Sequence, residues 1–166
     1  MGVHPKEFYC FYQTPLGLIR ICETGGFLTR VNFVEQTLVS KKNQSESIPF
    51  GSLLKDACRQ LDEYFEGKRK KFDLALKPNG TFFQRIAWES LLLIPYGETK
   101  NYLQQAESVG NPKAIRAIGQ ANSKNPISIF IPCHRVIGKN GSMTGYAGGL
   151  ERKTKLLGLD NRFKHE

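Results

Sequence analysis

The chain has 166 residues, of which 40% are apolar, 23% charged and 11% aromatic, a balance that excludes fibrous, low-complexity and disordered classes and fits a soluble globular protein. Lys and Arg number 24 against 15 Asp and Glu, a net charge of +9 that suits a polyanionic partner such as nucleic acid, although some basic proteins are merely soluble. The excess is uneven, with 12 basic and 9 acidic residues in 1–77 and 12 basic and 6 acidic residues in 78–166, so a polyanion would meet the second half.

Four scattered cysteines, Cys10, Cys22, Cys58 and Cys133, form neither a disulfide framework nor a Cys-x-x-Cys zinc knuckle, which points to a reducing compartment. The first ten residues lack the apolar core of a signal peptide, and no stretch approaches the roughly 18 apolar residues that span a bilayer. A cytoplasmic chain, or a nuclear one in a eukaryote, with no membrane association is expected.

Residues 7–12, 18–23 and 28–34 read as three strands of an antiparallel sheet, joined by Thr14-Pro15-Leu16-Gly17 and Gly25-Gly26. The polar run 39–47 reads as a loop. Leu54, Ala57, Cys58, Leu61, Tyr64 and Phe65 then recur at helical spacing up to a stop at Gly67, predicting a helix that packs on the sheet. The run Lys68-Arg69-Lys70-Lys71 is either a solvated turn or a basic patch for DNA. Alternating Phe72, Leu74 and Leu76 suggest one more strand, and Pro78-Asn79-Gly80 marks a domain junction, giving domains 1–77 and 78–166.

Thr81 followed three residues later by Gln84 is a capping-box pattern ahead of a helix carrying Ile86, Trp88, Leu91 and Leu92. Thr99 is placed to cap a short helix through Tyr102, Leu103 and Ala106, which Val109-Gly110 breaks. Asn111-Pro112 offers an N-cap and a first-turn proline for a second helix to about Asn122. Two short helices joined by a glycine turn suit a helix-turn-helix, though helical cores use the same arrangement; Lys113, Arg116 and Lys124 lie on or beside the second helix.

The apolar run 127–131 reads as a buried β-rich segment ended by Pro132, followed at once by Cys133-His134. Cys133 is then either an activated nucleophile, its proton taken by a nearby imidazole, or a buried filler. Contact between the two side chains requires a turn at Pro132, because neighbours on a strand face opposite ways. Cys10, Cys22 and Cys58 read as packing residues.

Asn125-Pro126, Ile131-Pro132-Cys133-His134-Arg135-Val136, Gly145-Tyr146-Ala147-Gly148-Gly149-Leu150 and Lys155-Leu156-Leu157 closely resemble the methylated-DNA–protein-cysteine methyltransferases, which repair O6-methylguanine. Tyr96-Gly97-Glu98-Thr99, Tyr102 and Gly110-Asn111-Pro112-Lys113-Ala114 with Arg116-Ala117 resemble that family's helix-turn-helix, and Thr14-Pro15-Leu16-Gly17 its N-terminal hairpin.

The resemblance implies an α+β fold of the broad α/β class: an N-terminal, RNase H-like antiparallel sheet with a helix, acting as scaffold, and a helical, winged helix-turn-helix-like C-terminal domain. It implies direct-reversal repair, with irreversible single-turnover transfer of the methyl group to Cys133 after base flipping, from O6-methylguanine and also from O4-methylthymine. By the same resemblance His134 takes the thiol proton through a water and is oriented by Asp160, where the family usually has the longer Glu. Tyr102 donates to the base, and Asn125 braces the hinge. Arg116 fills the vacated stack, while Ala114, Ala117, Lys113 and Tyr102 meet the minor groove. Pro132, Val136, Tyr146, Ala147 and Gly148 shape the pocket, the carbonyls of Cys133 and Val136 and the Ala147 N–H reading the guanine edge. No cofactor and no metal are expected, and the partner is double-stranded DNA, bound by a monomer, with cooperativity open. The alternative is an alkyltransferase-like module that binds alkylated DNA without reacting; such relatives typically replace the acceptor cysteine, which this chain keeps.

Overall fold

A computed structural model describes residues 2–38 and 52–165, so the run 39–47 lies outside the described residues. The chain divides into two compact units, Met1–Pro78 and Asn79–Glu166.

In the first unit β1 (Glu7–Thr14), β2 (Gly17–Thr24) and β3 (Phe27–Phe33) form an antiparallel meander in that order. The first hairpin closes around the buried Thr14, whose hydroxyl accepts the Leu16 N–H at 3.0 Å and donates to the Gly17 carbonyl at 2.7 Å. The second turns through Gly25 (φ 60°) and Gly26 (φ 84°), a pair of positive angles that few side chains tolerate and that matches the twist of the flanking strands.

Helix α1 (Leu53–Phe65) is capped by Ser52, whose side chain accepts the Lys55 N–H at 3.2 Å. Leu54, Ala57, Leu61 and Tyr64, one stripe at three- and four-residue spacing, are buried. The helix packs across all three strands. It ends in a Schellman motif: Lys68 N–H reaches the Glu63 carbonyl at 2.8 Å, and Gly67 N–H the Tyr64 carbonyl at 3.1 Å. In the basic run that follows, Lys68 pairs with Glu66 and Arg69 with Glu63.

The expected strand through Phe72, Leu74 and Leu76 does not form; only one parallel bridge, Leu28 to Leu76, joins this stretch to β3. Gln60 supplies the reason. Its buried side-chain amide takes both the N–H of Asp73, at 2.9 Å, and its carbonyl, at 3.0 Å, substituting for a neighbouring strand.

In the second unit α2 (Phe82–Leu92) starts at the anticipated capping box, with both Thr81–Gln84 bonds made. Then come β4 (Lys100–Asn101), α3 (Tyr102–Ser108), α4 (Ile115–Ser123), β5 (Val136–Ile137), parallel to β4, and α5 (Leu150–Phe163).

Two helix starts differ from expectation. The cap of α3 is Asn101, in a reciprocal box with Gln104, and not Thr99. Helix α4 starts at Ile115 and not at Asn111-Pro112. Asn111 is already committed to closing α3: its N–H bonds the Ala106 carbonyl at 3.0 Å while Gly110 (φ 78°) bonds Glu107, a second Schellman motif. Asn111 to Ala114 is therefore a turn, and Ala114 precedes the helix without a side-chain cap.

Ala87, Ala106, Ile118 and Ala121 form the core where α2, α3 and α4 meet, flanked by Trp88, whose indole N–H donates to the Ala121 carbonyl at 2.8 Å. A buried amide pair locks the helix-turn-helix. Gln105 and Asn122 bond each other in both directions, at 2.7 and 3.0 Å, and Gln105 also reaches the Ala87 carbonyl and Ser90.

Removing Asn122 takes the donor from the buried Gln105 Oε1, although Gln105 Nε2 keeps Ala87 and Ser90. Asn122→Leu should cost about 2 kcal/mol by urea denaturation, and adding Gln105→Leu should recover part of it, since two apolar groups leave nothing unsatisfied. Simple additivity of the two losses would contradict the pairing.

Candidate functional site

The run 127–131 is a buried turn and not a strand. Phe130 N–H bonds Ser128, Ile131 N–H bonds the Ile127 carbonyl at 3.1 Å, and Ile129 sits at φ 73°, a region costly for a β-branched residue. Asn125 displaces the strand. Its Oδ1 accepts the Ile127 N–H at 3.0 Å and its Nδ2 donates to the Ile131 carbonyl at 2.8 Å, so the side chain supplies both bonds that a neighbouring strand would offer.

Pro132 continues the bend at φ −81°, ψ 63°, an inverse γ-turn in which Cys133 N–H bonds the Ile131 carbonyl at 2.8 Å. Cys133–Arg135 then form a single 3-10 turn, so the turn the Cys-His pair required is present. All three side chains are buried.

The thiol's hydrogen-bond partner is Asn125, whose Nδ2 lies 3.2 Å from Cys133 Sγ. Burial pushes the thiol above its usual range, while the Asn125 bond and the nearby positive charge of Lys153 pull it back.

His134 is fully buried, and desolvation lowers its pKa from the ordinary 6.5 against an opposing contribution from Asp160. The imidazole is therefore neutral at neutral pH. Its Nε2 lies 3.1 Å from Asp160 Oδ2, and a carboxylate can only accept, so Nε2 carries the hydrogen. Nδ1 then holds a lone pair, and it is buried with no hydrogen-bond partner among the described residues.

Asp160, on α5, is shared. The same Oδ2 accepts from Arg135 Nε at 2.8 Å, and Arg135 also donates to the Ile94 carbonyl at 3.0 Å and stacks over Tyr96. The shorter Asp side chain thus reaches the imidazole.

Lys153 was not singled out from the sequence. It is fully buried on α5 and donates to the carbonyls of Val136 and Thr144 at 2.6 Å each, and of Gly145 at 3.5 Å. Burial lowers its pKa, and the Cys133 sulfur opposes that. A readable signal existed: Lys153 falls in register with Leu156 and Asp160 on the buried stripe of the helix.

Tyr102, at the start of α3, donates its hydroxyl to the Thr144 carbonyl at 3.1 Å. Tyr146 is half-buried, its enclosed hydroxyl has no hydrogen-bond partner among the described residues, and desolvation raises its pKa well above the usual phenol value. Pro132 and Val136 are buried, Gly148 is half-buried and Ala147 is exposed. The Cys133 carbonyl accepts from Val136 N–H and the Val136 carbonyl from Lys153, and a carbonyl has two lone pairs, so each has the capacity for a further donor.

Arg116 and Ala117 are exposed on α4, Lys113 is exposed and Ala114 half-buried just before it, and Lys124 is exposed at its end. Asn125 follows directly, so the exposed helix and the thiol are joined through one residue.

Two family profiles match: "6-O-methylguanine DNA methyltransferase, DNA binding domain" over residues 82–162, and the same family's "ribonuclease-like domain" over residues 8–78. A methylated-DNA–protein-cysteine methyltransferase of Methanosarcina acetivorans is 44% identical over 155 residues, 92% of this chain and 97% of that protein. The constitutive one of Bacillus subtilis is 44% identical over 157 residues, 93% of this chain and 95% of its own length. Among solved structures, the O6-methylguanine methyltransferase of Mycobacterium tuberculosis superimposes with a TM-score of 0.82 at 41% identity, covering 95% of this chain and 94% of that one. The same organism's OGT in complex with DNA gives 0.82 at 42% identity over 93% of each chain. With both units matched and this degree of identity along almost its whole length, the chain belongs to the methylated-DNA–protein-cysteine methyltransferase family.

Proposed function

We propose that the chain repairs O6-methylguanine in DNA by direct reversal, with Cys133 as the stoichiometric methyl acceptor. The observation that carries the reading is the buried Cys133-His134-Asp160 constellation, in which a thiol held by Asn125 lies one residue from an imidazole whose outer nitrogen is tied down and whose inner nitrogen is free.

The sulfur attacks the methyl carbon: an S–C bond forms, the C–O6 bond breaks, and its electron pair goes to the guanine. His134 Nδ1 takes the thiol proton through a water, and the base regains one proton, so the transfer is balanced. Tyr102, released from Thr144, donates to the departing base as negative charge builds on it. The thioether does not hydrolyse, so each molecule acts once.

The target must leave the duplex to reach a buried sulfur. Arg116 enters the space it vacates, Ala114 and Ala117 allow close approach to a minor groove, and Lys113 and Lys124 contact phosphate. Tyr146 walls the pocket with Pro132, Val136 and Gly148, and the Ala147 N–H meets the base edge. The second unit is the DNA-binding and acceptor domain, and the first is its scaffold. One molecule serves one lesion, as a monomer.

Incubation with a duplex containing O6-methylguanine should add a single methyl group per molecule, on the Cys133 peptide, and none in Cys133→Ala. Unmodified protein that still bound the duplex would replace repair by mere recognition.

Asp160→Asn lets an amide N–H face Nε2 and reverses the tautomer, so transfer should slow by about 10² or more, by analogy with the wrong-tautomer effect in hydrolase triads. Asp160→Glu should keep most of the rate. An unchanged rate in the Asn variant would remove Asp160 from the relay. The wild-type rate should fall only as pH drops below 6.5, because His134 is neutral above its depressed pKa and loses its acceptor lone pair once protonated.

Arg116→Ala should slow reaction with the duplex at least tenfold and leave reaction with the free base O6-methylguanine unchanged. Equal losses on both substrates would place Arg116 in the pocket chemistry instead.

A further inference from the structure

Methyl transfer uses one of the four cysteines. Of the other three, Cys22 is fully buried, but Cys10 and Cys58 face each other across the first unit with their sulfurs 4.0 Å apart. Cys10 is buried on β1, and Cys58 is half-buried on α1, where a small solute can reach it. The apolar periodicity that marks Cys58 as packing thus ends in a thiol pair with one half-buried member.

We propose that Cys58 and Cys10 form a peroxide-oxidised dithiol, with Cys58 as the attacking sulfur and Cys10 as the resolving one. In the first step the Cys58 thiolate attacks hydrogen peroxide: an S–O bond forms, the O–O bond breaks, and hydroxide leaves, giving a sulfenic acid. In the second, the Cys10 sulfur attacks the Cys58 sulfur, the S–O bond breaks, and water leaves with the Cys10 proton. Two thiols lose two electrons in all, and the peroxide is reduced to two waters.

Three observations set the roles. The sulfurs lie 4.0 Å apart on two elements that already pack together, so an approach of about 2 Å separates them from the bond length of a disulfide. The half-buried member, Cys58, is the more accessible to the oxidant, and the buried Cys10 is shielded until a sulfenic acid forms beside it. The hydrogen bond between them, in which either sulfur can donate, lets one thiol stay protonated while it stabilises the thiolate of the other.

Cys133 and Cys22 are placed the opposite way. Each is buried, and burial favours the thiol form that peroxide attacks poorly. The acceptor sulfur therefore survives an oxidant dose that consumes the pair. The bond would join β1 to α1 across 48 positions of sequence, stapling the first unit.

Graded hydrogen peroxide on the full chain, followed by intact mass and non-reducing peptide mapping, tests this. The expected result is loss of two hydrogens, a Cys10 peptide joined to the Cys58 peptide, a raised melting temperature, and Cys133 still free to a thiol reagent in the unfolded map. Dithiothreitol should reverse it. Cys10→Ala should leave a sulfenic acid on Cys58 that dimedone labels, and Cys58→Ser should leave no link and no label. Oxidation of Cys133 or Cys22 before the pair, or over-oxidation of Cys58 without a link in the wild-type chain, would overturn the proposal. None of these readouts needs methyl transfer, so the test stands whether or not the repair reading does.

Discussion

The position of the Cys133 sulfur depends on one side-chain amide. Asn125 leaves the end of α4, accepts from Ile127, and donates to Ile131 and to Cys133 Sγ. Those bonds convert an apolar run with strong β preference into a closed turn and hold Ile129 at an angle it would not choose. A positive φ at isoleucine costs on the order of 1–3 kcal/mol and persists only where the surroundings over-determine it. Here they do: Ile127, Ile129, Phe130 and Ile131 are all buried, and the turn's polar groups have no water to fall back on. The same residue that orders the turn also touches the thiol, so a change at the sulfur and a change in the turn are not independent events.

A second constraint works on charge. Asp160 faces two partners through one oxygen, His134 and Arg135, in a region where neither partner meets solvent freely. A buried carboxylate beside a neutral imidazole alone would be expensive. Arg135 neutralises it, and the Ile94 carbonyl takes one of the remaining guanidinium hydrogens. The imidazole gains a fixed tautomer from a charge that Arg135 has already stabilised. The Asp160 carboxylate is thus located by the arginine as much as by the length of its own side chain.

Much of this was legible in the chain, and the misses share a cause. The hairpins, α1 and the capping box of α2 were readable because local chemistry decides them: paired glycines, a stripe of apolar residues, a Thr three before a Gln. The Phe72 to Leu76 stretch and the 127–131 run failed because a distant or neighbouring amide, Gln60 or Asn125, takes the backbone bonds that a strand would use. Alternation and β-branching report what a segment prefers, not whether a partner strand arrives. Asn111 misled for a related reason: it can cap a helix, but it was already closing the previous one. At the site, Cys133 and His134 were ambiguous as a pair until the wider motif was considered. Lys153 shares the buried register of Leu156 and Asp160, but its residue type reads as solvated, and the type outweighs the register.

Lys153 and Asn125 also bear on why a nucleophile should be buried at all. Desolvation raises the Cys133 pKa, which works against a reaction that needs thiolate. For an acceptor that reacts once, however, a premature reaction is irreversible loss of the molecule, whereas a modest rate on the proper substrate is not. A protonated, enclosed thiol is inert to electrophiles and oxidants at large. In the proposed transfer, once the proton passes to His134, the Asn125 N–H and the Lys153 ammonium stabilise the thiolate that remains, and the raised pKa becomes an asset, because nucleophilicity of a thiolate rises with its basicity. The lysine can play that part without pairing directly with sulfur, since its hydrogens are engaged by the carbonyls of Val136, Thr144 and Gly145. Its charge acts at a distance while its hydrogen bonds tie the 144–145 loop to β5, so the field at the sulfur and the closure of the pocket wall rest on the same side chain.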